Sequence, residues 1–272
     1  MTSTIKSKAG ASTIQPENGT RPSKARIRQS FERAAPTYDS AASVQRHICQ
    51  QLAAGLAADC QPARILDAGC GTGYALPLLQ NRYPAATSVA LDLSPAMLHR
   101  ISTPCSKLAG DLDQLPLAAA SIDLYWSSLA VQWCELAKVL AEARRVLRPN
   151  GQLAIASLGP GTFQELRLAF ADVDDYQHTL GFHTPVEIGC MAKNAGFATV
   201  NVQNSTEIAH YPDFKTLLRA VKAIGANQIG DGKRTSLMSR SAFNRAEAAC
   251  ETRRTELGLP LTYDVVTLTA HR

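Results

Sequence analysis

The sequence predicts an α/β fold built on an open, Rossmann-like sheet, and two observations carry that reading. The stretch Arg64 to Gly73, R-I-L-D-A-G-C-G-T-G, ends a strand-like apolar run at Asp67 and continues with glycines at every second position, Gly69, Gly71 and Gly73. Glycine lets a backbone turn tightly and lets a ligand approach closely, because no Cβ stands in the way. Nineteen residues beyond Gly73, the short apolar run Val89-Ala90-Leu91 ends in Asp92. A strand, a glycine-rich turn and a helix begin a nucleotide-binding sheet, and a carboxylate about twenty residues on receives ribose hydroxyls.

The elements follow in order. Residues 1–22 are rich in Ser, Thr, Gly and Lys without apolar periodicity, and read as a disordered tail. Ser23 is an N-cap for a helix with Ile27, Phe31 and Ala34 on one face. A second helix spans about 41–57, with Ile48, Leu52 and Leu56 four apart. Ser94-Pro95 opens a short helix with proline at its first position, and Leu108-Ala109 is a scrap of strand. Ile122 to Trp126 reads as a buried strand whose carboxyl end carries Ser127 and Ser128. The helix from Leu136 stops at Arg148-Pro149-Asn150-Gly151, and Leu153–Ser157 is the next strand.

Beyond Gly159 the pattern changes. Phe163, Leu166 and Phe170 share a helical face, Pro185 starts a helix that closes at Gly196, and a strand begins near Val200. Phe214 to Ile224 is amphipathic, 225–235 reads as loop, Ser236–Glu256 as helix, and Thr262–Thr269 as the last strand. The segments 23–57, 160–183 and 211–259 read as helical covers over the site, within one domain spanning 23–272.

Composition narrows the class. Apolar residues make up 45% and charged residues 19% of 272, ordinary for a globular protein, and no run reaches the length of a membrane span. Seven scattered cysteines without a C-x-x-C pair indicate reduced thiols, a cytoplasmic location and no metal site. Basic residues concentrate in 1–46 and 211–254. Aromatic content is 6%, too sparse for nucleic-acid stacking platforms, and no nucleic-acid partner is expected; an acidic protein or an anionic substrate fits these stretches equally well, and a plain solvated surface is the remaining alternative.

The loop spacing separates two adenosine-containing cofactors. A dinucleotide site shows G-x-G-x-x-G with its pyrophosphate on a helix N-terminus. Here the third glycine comes one residue early, and the acidic Asp67 would repel a pyrophosphate while suiting an ammonium and a sulfonium. These residues favour S-adenosylmethionine over a nicotinamide dinucleotide, with a purely structural turn as the remaining alternative.

With those residues in hand, the sequence from about Lys24 to Ala270 resembles the malonyl-[acyl-carrier protein] O-methyltransferases of biotin synthesis, which are class I methyltransferases. Phe31 to Tyr38 with Val44-Gln45-Arg46 is similar to the family's opening, and Leu66–Gly73 to its cofactor loop. Asp92-Leu93-Ser94-Pro95 and Gly110-Asp111-Leu112 match its ribose and adenine segments. More discriminating are Trp126 to Cys134, Glu165-Leu166 with Asp174 and His178, Lys222 to Ala226, and Leu261-Thr262-Tyr263. The resemblance implies methyl transfer to the carboxylate of a malonyl thioester on acyl-carrier protein; a monomer without a membrane partner is expected. Competing readings are a methyltransferase for a small hydroxylated or quinone-like molecule and a non-catalytic cofactor-binding module.

The expected cofactor residues are therefore Asp67, Gly69, Gly71, Gly73, Asp92, Leu93, Asp111, Leu112 and Ser127. Tyr38, Gln132 and Trp133 are expected at the methyl-transfer pocket, with His178 as a substrate or cover contact. Arg167, Arg219 and Arg240 are the candidates for gripping the malonyl carboxylate, since a guanidinium can hold one bidentately. Lys24 with Arg28, and Arg219 with Lys222, are expected as rim charges facing an acidic carrier protein.

Overall fold

The computed structural model describes residues 21–57, 60–174, 176, 179–224 and 238–272. Most of the expected tail, the loop at 225–235, the start of the helix expected from Ser236, and His178 lie outside the described residues.

Three helices precede the sheet: α1 (Lys24–Ala34), α2 (Tyr38–Ala41) and α3 (Ser43–Ala54). Ser23 caps α1, its hydroxyl accepting from the Arg26 N–H. The helix expected across 41–57 is thus split, with Tyr38 opening a separate turn. There follow β1 (Arg64–Ala68), α4 (Ala75–Arg82), β2 (Thr87–Asp92), α5 (Pro95–Arg100), β3 (Ser106–Ala109), β4 (Ile122–Ser128), α6 (Leu136–Val146) and β5 (Leu147–Leu158). Then come α7 (Gln164–Phe170), α8 (Pro185–Asn194), β6 (Ala198–Tyr211), α9 (Phe214–Ala223), α10 (Arg240–Glu251) and β7 (Leu259–His271).

The seven strands form one sheet in the order β3-β2-β1-β4-β5-β7-β6. The first five run parallel, while β7 lies antiparallel between β5 and β6. Strand residues alternate between two cores because successive side chains leave a strand on opposite faces. Ile65 and Trp126 join α3, α4, α7, α9 and α10 on one face; Leu66 and Tyr125 join α6 and α8 on the other. Both faces are covered, which is why these strands read as continuous apolar runs rather than alternating ones.

Three elements depart from the expected spans. β5 begins at Leu147 rather than Leu153, and the Pro-Asn-Gly turn is a kink within it, with Asn150 at φ +64°. β6 and β7 extend well beyond Val200–Val202 and Thr262–Thr269 because they pair antiparallel with each other, from Ala198 opposite His271 to Tyr211 opposite Leu259. Polar residues such as Asn204, Ser205 and Thr206 belong to β6 through backbone pairing, which leaves no apolar pattern in the sequence.

Candidate active site

The parallel strands diverge between β1 and β4, since β2 and β3 lie on one side of β1 and β5 on the other side of β4. A ligand crevice is expected at the carboxyl ends of strands at such a switch point. A cavity lies there, walled by the glycine loop, by Asp92-Leu93, by Asp111-Leu112 and by α1.

The three glycines do different work. Gly69 has φ +74°, and a Cβ there would stand 2.2 Å from the Ala130 Cβ, so this glycine permits close packing. Gly73 has φ +84° and abuts Ile101 and Leu76 away from the cavity; it shapes the turn and touches no ligand space. Gly71, at φ +54°, has nothing within 4 Å of its missing Cβ, because that position opens into the cavity. Its N–H donates to Asp92 Oδ2 at 2.9 Å, and the Ser94 N–H donates to Asp92 Oδ1 at 2.8 Å.

Asp67 is 2% exposed, and its Oδ2 has no hydrogen-bond partner. Burial, then the charge of Asp92, pushes its carboxyl up to about 8. An unpaired buried carboxyl beside a second acid is costly by itself. It becomes favourable once a cationic donor fills the space, which is what the methionine ammonium of S-adenosylmethionine offers. Cys49 lines the same cavity, but burial raises its thiol to about 12, so it stays protonated and is no nucleophile at neutral pH.

At the opposite end Asp111 and Leu112 line the cavity, and Asp111 is held by Lys24 from α1. The Lys24 ammonium lies 2.7 Å from Asp111 Oδ1, 2.7 Å from Asp113 Oδ2 and 3.3 Å from Cys134 Sγ. Asp111, Asp113 and Cys134 converge as a metal site would, and the ammonium sits among them. Burial opposes the lysine charge, but Cys134 and the two carboxylates outweigh it and raise its pKa. Lys24 therefore faces inward and is no rim charge, contrary to the sequence expectation; Arg28 is exposed and paired with Glu32 at 2.8 Å.

A smaller inner chamber adjoins this cavity and shares Phe31, Tyr38, Gln45, Leu129 and Trp133 with it. Gln132 lines the chamber and donates to the Leu129 carbonyl at 2.7 Å. Leu129 takes φ +54°, a strained conformation for a non-glycine residue, at the boundary between the two spaces. Tyr38, Gln132 and Trp133 thus come together as expected. Ser127 does not join them: it is buried and its hydroxyl donates to the Ala68 carbonyl at 2.7 Å, while Ser128 lines the cofactor cavity instead. Residue alternation along β4 decides between the two, and the sequence alone could not phase it.

The three arginines do not meet at the chamber. Arg167 donates to the carbonyls of Thr162 and Pro160 and lines a separate outer cleft. Arg219 and Arg240 are exposed on α9 and α10 and line neither space. Sequence reasoning passed over Gln45 and Arg46 as site residues. Arg46 lines the cofactor cavity, donates to the Asp39 carbonyl and lies 5.8 Å from the Tyr74 ring centre. Their signal was available, since both fall in the segment that carried the resemblance.

Comparison with known proteins bears on this geometry. A family model described as a methyltransferase domain matches residues 66–155. A malonyl-[acyl-carrier protein] O-methyltransferase of Dechloromonas aromatica is 68% identical over 261 residues, covering 96% of this chain and 99% of the relative. The chain belongs to the malonyl-[acyl-carrier protein] O-methyltransferase family. A family member from Laribacter hongkongensis is 44% identical over 259 residues, covering 89% of this chain and 87% of its own. Among solved structures, the YcgJ protein of Bacillus subtilis aligns with a TM-score of 0.58 at 14% identity, covering 83% of this chain and 98% of that one. The [4+2]-cyclase SpnF aligns at 0.57 and 17%, covering 93% and 97%. Those two likenesses show the fold alone.

The fold is that of a class I methyltransferase, and this family member carries a site that fits S-adenosylmethionine. The unpartnered Asp67 Oδ2 suits the ammonium, the space at Gly71 leaves room for the ligand, and Asp92 and Asp111 line the same cavity as further acceptors. No described helix is long and apolar enough to cross a membrane.

Proposed function

We propose that this chain, in the cytoplasm, methylates the free carboxylate of malonyl-[acyl-carrier protein], giving the ester that primes pimeloyl synthesis for biotin. The observation that carries this reading is the 68% identity to a relative so named, over nearly the full length of both chains. The linked cofactor cavity and inner chamber support it chemically.

When bound, S-adenosylmethionine supplies an electrophilic methyl group on a sulfonium. A malonyl carboxyl has an ordinary pKa near 4, so at neutral pH the acceptor is already ionised. An ionised carboxylate oxygen would accept the methyl group directly, so no proton has to be removed. The chamber accordingly needs no general base, and no histidine or carboxylate lines it among the described residues. What the protein contributes is placement and exclusion of water. Tyr38 and Gln45 stand at the junction of the two spaces, and Phe31, Leu129 and Trp133 wall it with apolar surface.

The test is methyl incorporation from labelled cofactor into malonyl-carrier protein, acetyl-carrier protein and small hydroxylated acceptors. The malonyl substrate should be methylated and the acetyl one not at all. Saturated turnover should be flat between about pH 6 and 9; a tenfold rise per pH unit would mark an ionising hydroxyl acceptor and sink the carboxylate mechanism.

A further inference from the structure

The inner chamber is polar without being charged. Tyr38, Gln45, Gln132, Thr179 and Tyr263 present hydroxyls and amides to it, and no Lys, Arg, His, Asp or Glu lines it among the described residues. Arg46, Arg167 and Lys24, cations of the neighbouring described elements, are engaged elsewhere. Arg46 bonds the Asp39 carbonyl beside Tyr74, Arg167 bonds carbonyls at the outer cleft, and Lys24 lies among Asp111, Asp113 and Cys134. The amide oxygens of Gln45 and Gln132 are buried without partners. Rotating the Gln45 amide by half a turn would exchange that oxygen for an N–H donor. Burial raises the Tyr38 and Tyr263 hydroxyls far above their usual range, so both stay protonated, and the Tyr263 hydroxyl is bonded to Tyr211 and Gln45.

An ionised carboxylate in such a chamber would have hydrogen bonds but no counter-charge from the described residues, a costly state in a low-dielectric site. The adjoining cavity has the reverse imbalance. Asp67 and Asp92 are there to receive a cationic ligand, and that cavity meets the chamber at Tyr38, Gln45 and Leu129. We infer that the chamber takes its acceptor carboxylate on neutral donors, Tyr38 and Gln45, and that acceptor binding is conditional on the positive charge of the methyl donor next door. This rests on the carboxylate-acceptor reading above and deepens it. A site that brings two opposite charges together away from bulk water before transfer, and has none afterwards, favours the reaction, because both charges vanish as the ester forms. It also gives a binding order, donor first, and removes the hold on the product once the sulfur is neutral.

The experiment is calorimetry on the wild-type chain with malonyl-pantetheine whose thioester sulfur is replaced by NH. The protein is pre-loaded either with S-adenosylhomocysteine, neutral at sulfur, or with sinefungin, which carries an ammonium-bearing carbon at that position. Binding should be about tenfold or more tighter on the sinefungin form, as expected for an unscreened opposite charge a few ångströms away. The methyl ester of the same analogue, uncharged, should show no such preference. Equal affinities on the two forms, or no binding to either, would overturn the inference. So would loss of binding to both forms in Arg167→Gln, Arg219→Gln or Arg240→Gln when circular dichroism shows the variant folded. Turnover of malonyl-carrier protein by the same preparation keeps the questions apart: its absence refutes the proposed function, while turnover with equal affinities refutes only the counter-charge.

Discussion

The Lys24 ammonium lies 2.7 Å from Asp111 Oδ1, so the first residue of α1 is tied to the loop that follows β3. At the other end of the same strap, the Thr72 hydroxyl of the glycine loop donates to Asp39 Oδ1 at 2.6 Å. Between these ties Ile27, Phe31 and Tyr38 line the cofactor cavity. The N-terminal helices are therefore a wall of the site fastened at both of its ends.

Lys24→Met should raise the cofactor dissociation constant about tenfold, on the order of 1.4 kcal/mol. It should cost the free protein less than about 1 kcal/mol of stability, because the ion pair is one-third exposed on each side and solvent screens it. Calorimetry and thermal melts check both halves. A variant that melted early but bound normally would reduce Lys24 to a structural tie.

Asp92→Ala should weaken cofactor binding by about 1.5–3 kcal/mol, the range for losing hydrogen bonds to an ionised acceptor. Asp92 also accepts the Gly71 and Ser94 N–H groups, so part of that loss should appear as a looser glycine loop. Unchanged affinity would remove Asp92 from the ribose.

Gly69→Ala and Gly71→Ala should fail differently. A methyl at Gly69 collides with Ala130, so that variant should be strongly destabilised. At Gly71 there is room, so the free protein should lose only the left-handed backbone cost of about 1–2 kcal/mol, while the methyl stands in the ligand's space and abolishes binding. Melting temperatures with and without cofactor distinguish the two.

The pH dependence turns on Asp67. Its folded pKa, about 8, lies above its ordinary value of 3.8, so the ligand-free native state holds the proton more tightly than the unfolded chain. That contribution to stability is fully present below about pH 4 and is lost as pH rises through about 8. Cofactor binding draws the group into its ionised form, so affinity should rise with pH up to about 8 and binding near pH 7 should release a proton. Calorimetry in buffers of different ionisation enthalpy measures that release. Asp67→Asn should flatten the stability profile and fail to bind.

Carrier recognition should run through α9, where Arg219 and Lys222 are exposed. Reversing both charges should lower kcat/KM for malonyl-carrier protein more than for malonyl on a small thiol, and raising salt from about 50 to 500 mM should narrow that gap. Equal losses on both substrates would place these residues in the chamber's chemistry instead.

The sequence by itself determined the parallel half of the sheet, the cofactor loop, Asp92 and Asp111. These are local facts: a strand end, the turn that follows it and the carboxylate beyond lie close along the chain, and backbone geometry places them whatever packs around them. Tertiary structure decided the rest. Whether Ser127 or Ser128 meets the cavity depends on the phase of β4 between two cores, each apolar, so hydrophobicity carried no signal. The full length of β6 depends on pairing with β7 about sixty residues later, through backbone groups that every residue type shares. Lys24 reads as one basic residue among many until α1 lies over the loop of Asp111 and Asp113. The arginines stood on amphipathic helices whose outward faces suit them, and only the docking of α7, α9 and α10 against the sheet showed which way those faces turn.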